Sequence, residues 1–381
     1  MEQTKVPVKL NDASIATNNN LKLQNSDNIV TNPPNSKLTV ILMAIIIFAV
    51  LLAFIFILLF VIIKVHKKDK VFPRAGGSYS SRKPIIFDVD EGGDDMMAYI
   101  VANNSKKYDI LGVTTVSCYH YVEDVGKIWL RFFEHMDFDN KVYLGENQPL
   151  VRETPILTFA HNYGFELPTT TKTLETQKAV DFMYETIKNY KQKVTLFGLG
   201  PLTNIAKLIQ KDSSIINNIE EIIIMGGAKE VGNVVENPLA EWNIYNDAEA
   251  AEIVFKCGLT IKTFGQETRM DFNDTFYQKL LDMNTKSSLF AYHAAKGIFA
   301  VWNDNWVYDP ITILYQLDNS IVDLKDYYVE MNTTNPDVNG TEYGSMYFFE
   351  PSGNQKPNVQ YTETFYEDKC YEVFEKYLKL Y

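Results

Sequence analysis

Residues 84–95 read PIIFDVDEGGDD, a short branched run that ends in Asp88, Asp90, Asp94 and Asp95 around Glu91 and two glycines. The run PIIFDV has the composition of a buried strand. Alternation along a strand sends Asp88 and Asp90 the same way. The glycines permit a tight turn, and Asp94 and Asp95 then fall at the start of a helix. An acidic helix cap needs one or two such residues, not four. Four carboxylates this close repel one another unless a cation compensates. Oxygen-only ligands select a hard divalent ion, Ca²⁺ or Mg²⁺.

Working outward, similar runs recur as ILGVTTV at 110–116, KVTLFGLG at 193–200, EEIIIMGG at 220–227 and LTIKTFG at 259–265. Segments with apolar residues every three or four positions lie between them, among them VEDVGKIWLRFFEHM and DAEAAEIVFKCG. This alternation predicts an α/β fold with an open, mostly parallel (mixed) sheet covered by helices. Ligands of such sheets sit beyond the carboxyl ends of the strands, so the informative residues follow the strand runs. GLGPLTN at 198–204 presents the Leu199 carbonyl toward the same cation. MGGAKEVGN and AEWN bring Asn233, Glu241 and Asn243, and VYDP at 307–310 brings Asp309. Carboxylates and amides together suit a neutral polyhydroxylated substrate, because their donors and acceptors alternate as hydroxyls do. A DxD after a strand also fits a Mg²⁺-dependent phosphohydrolase with Asp88 as nucleophile and Asp90 as acid/base, a reading that leaves Asp94 and Asp95 unused.

The whole chain has 381 residues, 46% hydrophobic and 22% charged, with 36 Lys+Arg against 48 Asp+Glu for a net charge of −12. No general basic field exists to hold nucleic acid. Three cysteines, Cys118, Cys257 and Cys370, have no metal-ligand spacing. The charge is unevenly placed: residues 84–381 carry −19, and residues 64–83 carry +6. Residues 1–37 are Asn-rich and read as a disordered tail. Residues 38–63 are 26 uncharged positions, LTVILMAIIIFAVLLAFIFILLFVII. As a helix they extend about 39 Å, enough for a lipid bilayer, which predicts a single-pass transmembrane anchor. Residues 64–83 read as a basic stalk and 84–381 as the catalytic domain. The stalk's charge places that domain on the cytosolic side, whereas the architecture favours a lumenal or extracellular one. Sequons at Asn103, Asn273, Asn332 and Asn339 do not decide between them.

DVDEGGDD resembles the amino-terminal motif DTDPGxDD of the inosine-uridine nucleoside hydrolases. The resemblance continues in order through LGVTTV, VYLGENQPL, GLGPLTNIA, MGGAKEVGN, AEWNIYNDAEAA and YDP. It implies one tightly bound Ca²⁺, hydrolysis of the N-glycosidic bond of ribonucleosides to base and ribose, and a dimer or tetramer. Carried position by position, it implies Asp90, Asp95, Asp309 and the Leu199 carbonyl as calcium ligands, and Asp90 as general base toward a calcium-bound water. Asp94, Asn243 and Asp309 hold the ribose 2′ and 3′ hydroxyls on this reading, and Asn233 and Glu241 meet the 5′ hydroxyl. Asp88 supports the loop from behind.

The departures are specific. Glu91 replaces the motif's proline, adding a negative charge beside the metal. Cys118-Tyr119 stands where the family has Gly-Asn, removing an amide that normally helps at the metal and ribose. Tyr308 occupies the place of a histidine that gives a proton to the leaving base, or of a tryptophan that stacks on it in purine-preferring relatives. Trp302, Trp306 and His161 are further candidates to line the base pocket. The expectation is a Ca²⁺-dependent nucleoside hydrolase leaning toward purine nucleosides, with a non-catalytic calcium and sugar binder of the same fold as the alternative beside the phosphohydrolase.

Overall fold

The structure is a computed structural model that describes residues 37, 41, 44–53, 81–153, 166–334 and 342–381. The chain divides into two units, Met1–Ala75 and Gly76–Tyr381. In the first, residues 44–53 are helical and exposed. Among the described residues no helix is long and apolar enough to cross a membrane. The expected transmembrane anchor over residues 38–63 is corrected on this finding, and the bilayer contact and single-pass localisation built on it go with it. The rest of that run, the tail before Lys37 and most of the expected stalk lie outside the described residues.

The second unit begins with β1 (Lys83–Val89), α1 (Gly93–Ser105), β2 (Tyr108–Thr115), α2 (Val122–His135) and β3 (Val142–Leu144). It continues through α3 (Ala179–Asn189), β4 (Val194–Gly198), α4 (Thr203–Lys211), β5 (Ile219–Met225), α5 (Trp242–Asn246), α6 (Ala248–Phe255) and β6 (Ile261–Phe264). Then come β7 (Met270–Asp271), α7 (Asp274–Met283), α8 (Lys286–Trp302), β8 (Trp306–Val307) and α9 (Pro310–Leu317). The chain ends with β9 (Val322–Met331), β10 (Met346–Phe349), β11 (Val359–Phe365) and α10 (Glu367–Leu378). All five branched runs are strands.

Nine strands form one sheet in the order β10-β9-β11-β6-β5-β4-β1-β2-β3. Every pair from β11 to β3 is parallel, and β9 runs antiparallel to both β11 and β10. From β1 the chain moves outward to β3, then returns to place β4 on the other side of β1. The order therefore reverses between β1 and β4, and a crevice opens beyond their carboxyl ends. Central β1 is buried on both faces, as a covered parallel strand must be. Ile85, Phe87 and Val89 enter one hydrophobic cluster and Ile86 the other. Phe87 stacks on Phe197 of β4 at 5.0 Å, fixing the two strands that flank the crevice.

Helix α1 is apolar almost all round, with Met96 to Ala102 buried, and packs against α8 and α9. Its first turn carries Asp94 and Asp95, where the helix dipole favours negative charge. The sequence thus places an acidic turn on the wall of the crevice, at the start of a helix whose body is buried in the core.

Candidate active site

A cavity of about 410 Å³ opens beyond β1 and β4, lined among others by Asp90, Asp94, Asp95, Leu199, Asn243 and Asp309. One carboxylate oxygen from each of Asp94, Asp95 and Asp309 lies within 4.8 Å of the others. Asp309 comes from the residue before α9, more than two hundred positions from the acidic turn. Asp90 adjoins the cluster: its N–H donates to Asp95 Oδ1 at 3.2 Å, and its own Oδ1 accepts from Gly92 N–H at 2.9 Å. The Trp129 indole N–H donates to the Asp90 carbonyl at 2.6 Å and anchors the turn from α2. Gly92 is required by close approach, because a Cβ there falls 2.4 Å from Asp95 Oδ2 and 2.8 Å from Asp94 Oδ1.

Burial makes these acids unusual. Asp90, Asp95 and Asp309 are nearly inaccessible at 8%, 1% and 3%. Loss of water is the first cause that pushes all three carboxyls above the ordinary aspartate range, and neighbouring carboxylates push them further. Asp309 Oδ1 has no hydrogen-bond partner among the described residues. A buried acceptor without a donor is costly unless something else supplies positive charge. Hard oxygen donors, their convergence and this orphaned oxygen fit a divalent cation.

Around the cluster the expected residues take definite places. The Leu199 carbonyl accepts from Asn243 Nδ2 at 2.9 Å, and the Leu199 N–H donates to the Asp88 carbonyl at 2.8 Å. Asp88 is buried behind the turn, its Oδ1 accepting from Thr114 Oγ1 at 2.5 Å and Asn204 Nδ2 at 2.7 Å. Burial nevertheless raises its carboxyl to about 7. Glu241 caps α5: Oε1 accepts from Asn243 N–H, and Oε2 from Ile244 and Gly227 N–H. Its carboxyl is also raised by burial to about 7, against the pull of those donors. Asn233 is exposed at the cavity mouth, with Oδ1 accepting from Trp242 N–H at 2.8 Å. Trp306 and Tyr308 line the cavity, and Tyr308 N–H donates to Asp94 Oδ2 at 3.4 Å. His161 and the Trp302 side chain lie outside the described residues.

Three contacts at the site are not legible in the sequence, although Glu91 and Tyr119 stand out there as departures from the motif. Glu91 is fully buried and its Oε1 accepts from Tyr119 N–H at 2.9 Å, with His120 Nδ1 at 3.2 Å. Tyr119 stacks on Trp242 at 5.2 Å and 9°, and both rings line the cavity. Gln266 also lines it, donating from Nε2 to the Tyr308 hydroxyl at 2.8 Å. A signal for Gln266 was present, since it closely follows the LTIKTFG strand run. The stacking of residues 119 and 242 has none, because only folding brings them together.

The fold is that of the nucleoside hydrolases. A purine-preferring ribonucleoside hydrolase from Gardnerella vaginalis superposes with a TM-score of 0.68, covering 78% of this chain and 98% of that one at 23% identity. The sequence goes further: the inosine-uridine preferring nucleoside hydrolase profile matches residues 85–372, and the chain belongs to that family of glycosidases. Uridine nucleosidase 1 of Arabidopsis thaliana is 36% identical over 197 residues, which is 50% of this chain and 58% of that protein. The match thus spans less than two thirds of that relative's length. Pyrimidine-specific ribonucleoside hydrolase RihA of Salmonella paratyphi B is 30% identical over 290 residues, 72% of this chain and 92% of that protein.

Proposed function

We propose that this chain hydrolyses the N-glycosidic bond of ribonucleosides, releasing base and ribose. The observation that carries the reading is the convergence of Asp94, Asp95 and Asp309 at the switch point, with Asp309 Oδ1 offered no donor among the described residues. Asp90, Asp95, Asp309 and the Leu199 carbonyl would hold a Ca²⁺ ion, with Asp94 beside them. When bound, that cation supplies the positive charge that keeps the buried carboxylates ionised and lowers the pKa of water next to them.

The residues divide the remaining work. Asp90 accepts a proton from the attacking water, whose oxygen forms the new bond to C1′ as the C1′–N bond breaks with its electron pair going to the base. Asp94, Asn243 and Asp309 orient the ribose 2′ and 3′ hydroxyls, and Asn233 and Glu241 the 5′ hydroxyl. The ring of carboxylates stabilises the ribosyl cation that develops between these events. Tyr308, a phenol that is protonated at neutral pH and that burial pushes further above its ordinary range, donates a hydrogen bond to the departing base. The proton left on Asp90 reaches the base through solvent and completes the reaction. Asp88 acts from behind, fixing the strand end on which Asp90 sits.

The aromatic Tyr308 leans toward purine bases, whereas the relatives at 30% and 36% identity are named for pyrimidine nucleosides and uridine. The test therefore incubates the chain with uridine, cytidine, inosine, adenosine and a phosphate ester, reading free base and free phosphate. The reading predicts base release without phosphate. Phosphate release supports the phosphohydrolase instead, and tight calcium with no turnover supports the binder.

A further inference from the structure

Gln266 is 5% exposed at the carboxyl end of β6, on the cavity wall. Its backbone is locked: the N–H donates to the Gly227 carbonyl at 2.8 Å, and the carbonyl accepts from Arg269 Nη1 at 3.4 Å. Arg269 in turn lies 3.7 Å over the Trp306 ring, which shares the wall. From this fixed base Gln266 Nε2 donates to the Tyr308 hydroxyl at 2.8 Å. That bond occupies one acceptor site of the phenol oxygen, so the phenol's own proton must point elsewhere, and Tyr308 lines the cavity. The other end of the amide, Oε1, is buried with no hydrogen-bond partner among the described residues. A methionine of similar length would fill the space without stranding an acceptor. Amides kept at such a cost concentrate at functional sites.

We propose that Gln266 is a positioning residue for the leaving group, turning the Tyr308 hydroxyl into a hydrogen-bond donor aimed at the departing nucleobase. This rests on the hydrolase reading above. The class of ligand it serves is a leaving group with a nitrogen or oxygen acceptor that gains charge as the bond breaks. A leaving group that departs readily as its anion has little need of the donor.

Two variants separate this role from a packing role. Gln266→Met removes the donor and the stranded acceptor together. Gln266→Glu keeps the shape but replaces the donor by a carboxylate that accepts the Tyr308 proton and turns it away from the base. The readout is kcat/KM for uridine or inosine divided by kcat/KM for p-nitrophenyl ribofuranoside, with melting temperature followed alongside. Both variants are expected to lower that ratio about 10²-fold, through kcat and not KM. Gln266→Met is expected to melt no lower than wild type, and Gln266→Glu not to rescue. A wild-type chain that cleaves both substrates, with variants whose ratio stays within threefold of wild type, overturns the proposal alone. So does Gln266→Glu with full nucleoside activity. A wild-type chain that cleaves neither substrate overturns the hydrolase reading and this proposal with it.

Discussion

Gly92→Ala probes the acidic turn with one methyl group. Gly92 has φ −62° and ψ 144°, which alanine adopts without strain. Its Cβ nevertheless falls 2.4 Å from Asp95 Oδ2, 2.8 Å from Asp94 Oδ1 and 3.4 Å from Asp90 Oδ1. Restoring ordinary contact requires Asp95 Oδ2 to retreat by about 1 Å and Asp94 Oδ1 by about half that. A displacement of about 1 Å in a reacting constellation costs about 10²-fold in rate. The backbone conformation adds no penalty, and replacing glycine at a compatible site stabilises by about 0.4–1 kcal/mol through the unfolded chain, which offsets the cost of moving the two carboxylates. The assay pairs initial rates of base release with thermal melts in chelator and in calcium. The expected result is a chelated melting temperature equal to or above wild type, a kcat/KM about 10²-fold lower, and a smaller upward shift of melting temperature on adding calcium. A variant with wild-type rate and the full calcium shift refutes the reasoning. A variant that melts far below wild type in chelator refutes the claim that the methyl acts on the carboxylates alone.

Asn204→Ala takes one of two side-chain donors from buried Asp88 and is expected to destabilise by about 1–3 kcal/mol in urea denaturation; no change in midpoint counts against Asp88 as the anchor of the turn. The pH dependence of the metal-free protein has a definite sign. Asp88 and Glu241 are raised to about 7 from 3.8 and 4.5, so the folded state holds their protons more tightly than the unfolded state does. That contribution is complete below the unfolded values and is lost as pH rises through 7. Chelated protein should therefore melt lower at pH 8 than at pH 6, and the reverse order contradicts the burial assigned to these acids. Calcium should flatten the dependence, since added positive charge opposes protonation of neighbouring carboxylates.

Much of the fold was legible because its central strands are buried on both faces and therefore read as unbroken branched runs. The acidic turn was legible for the opposite reason, since four aspartates at a strand end make no sense as solvated surface. β9 was harder: VDLKDYYVEM sits near the sheet edge, alternates buried with exposed residues, and has the polarity of a loop. The expected anchor over 38–63 rests on composition alone, whereas no helix among the described residues is long and apolar enough to cross a membrane. At the site, the carboxylates announce themselves by type. Gln266 and Trp242 do not, because an amide or an aromatic ring has a core role by default, and Tyr119 is legible only as a departure from the motif. Glu91 was legible as a departure from the motif, but its burial against Tyr119 and His120 follows only from the folded turn.

The central claim is that the carboxylates around Asp94, Asp95 and Asp309 serve glycosidic hydrolysis by holding a divalent cation. It is tested most directly by following free base released from uridine and inosine by the full chain in calcium, after chelation, and after calcium is returned. The account predicts release in calcium, loss on chelation and recovery on return, with Asp90→Asn inactive throughout. Release that continues unchanged in chelator, or in the Asp90→Asn variant, contradicts it.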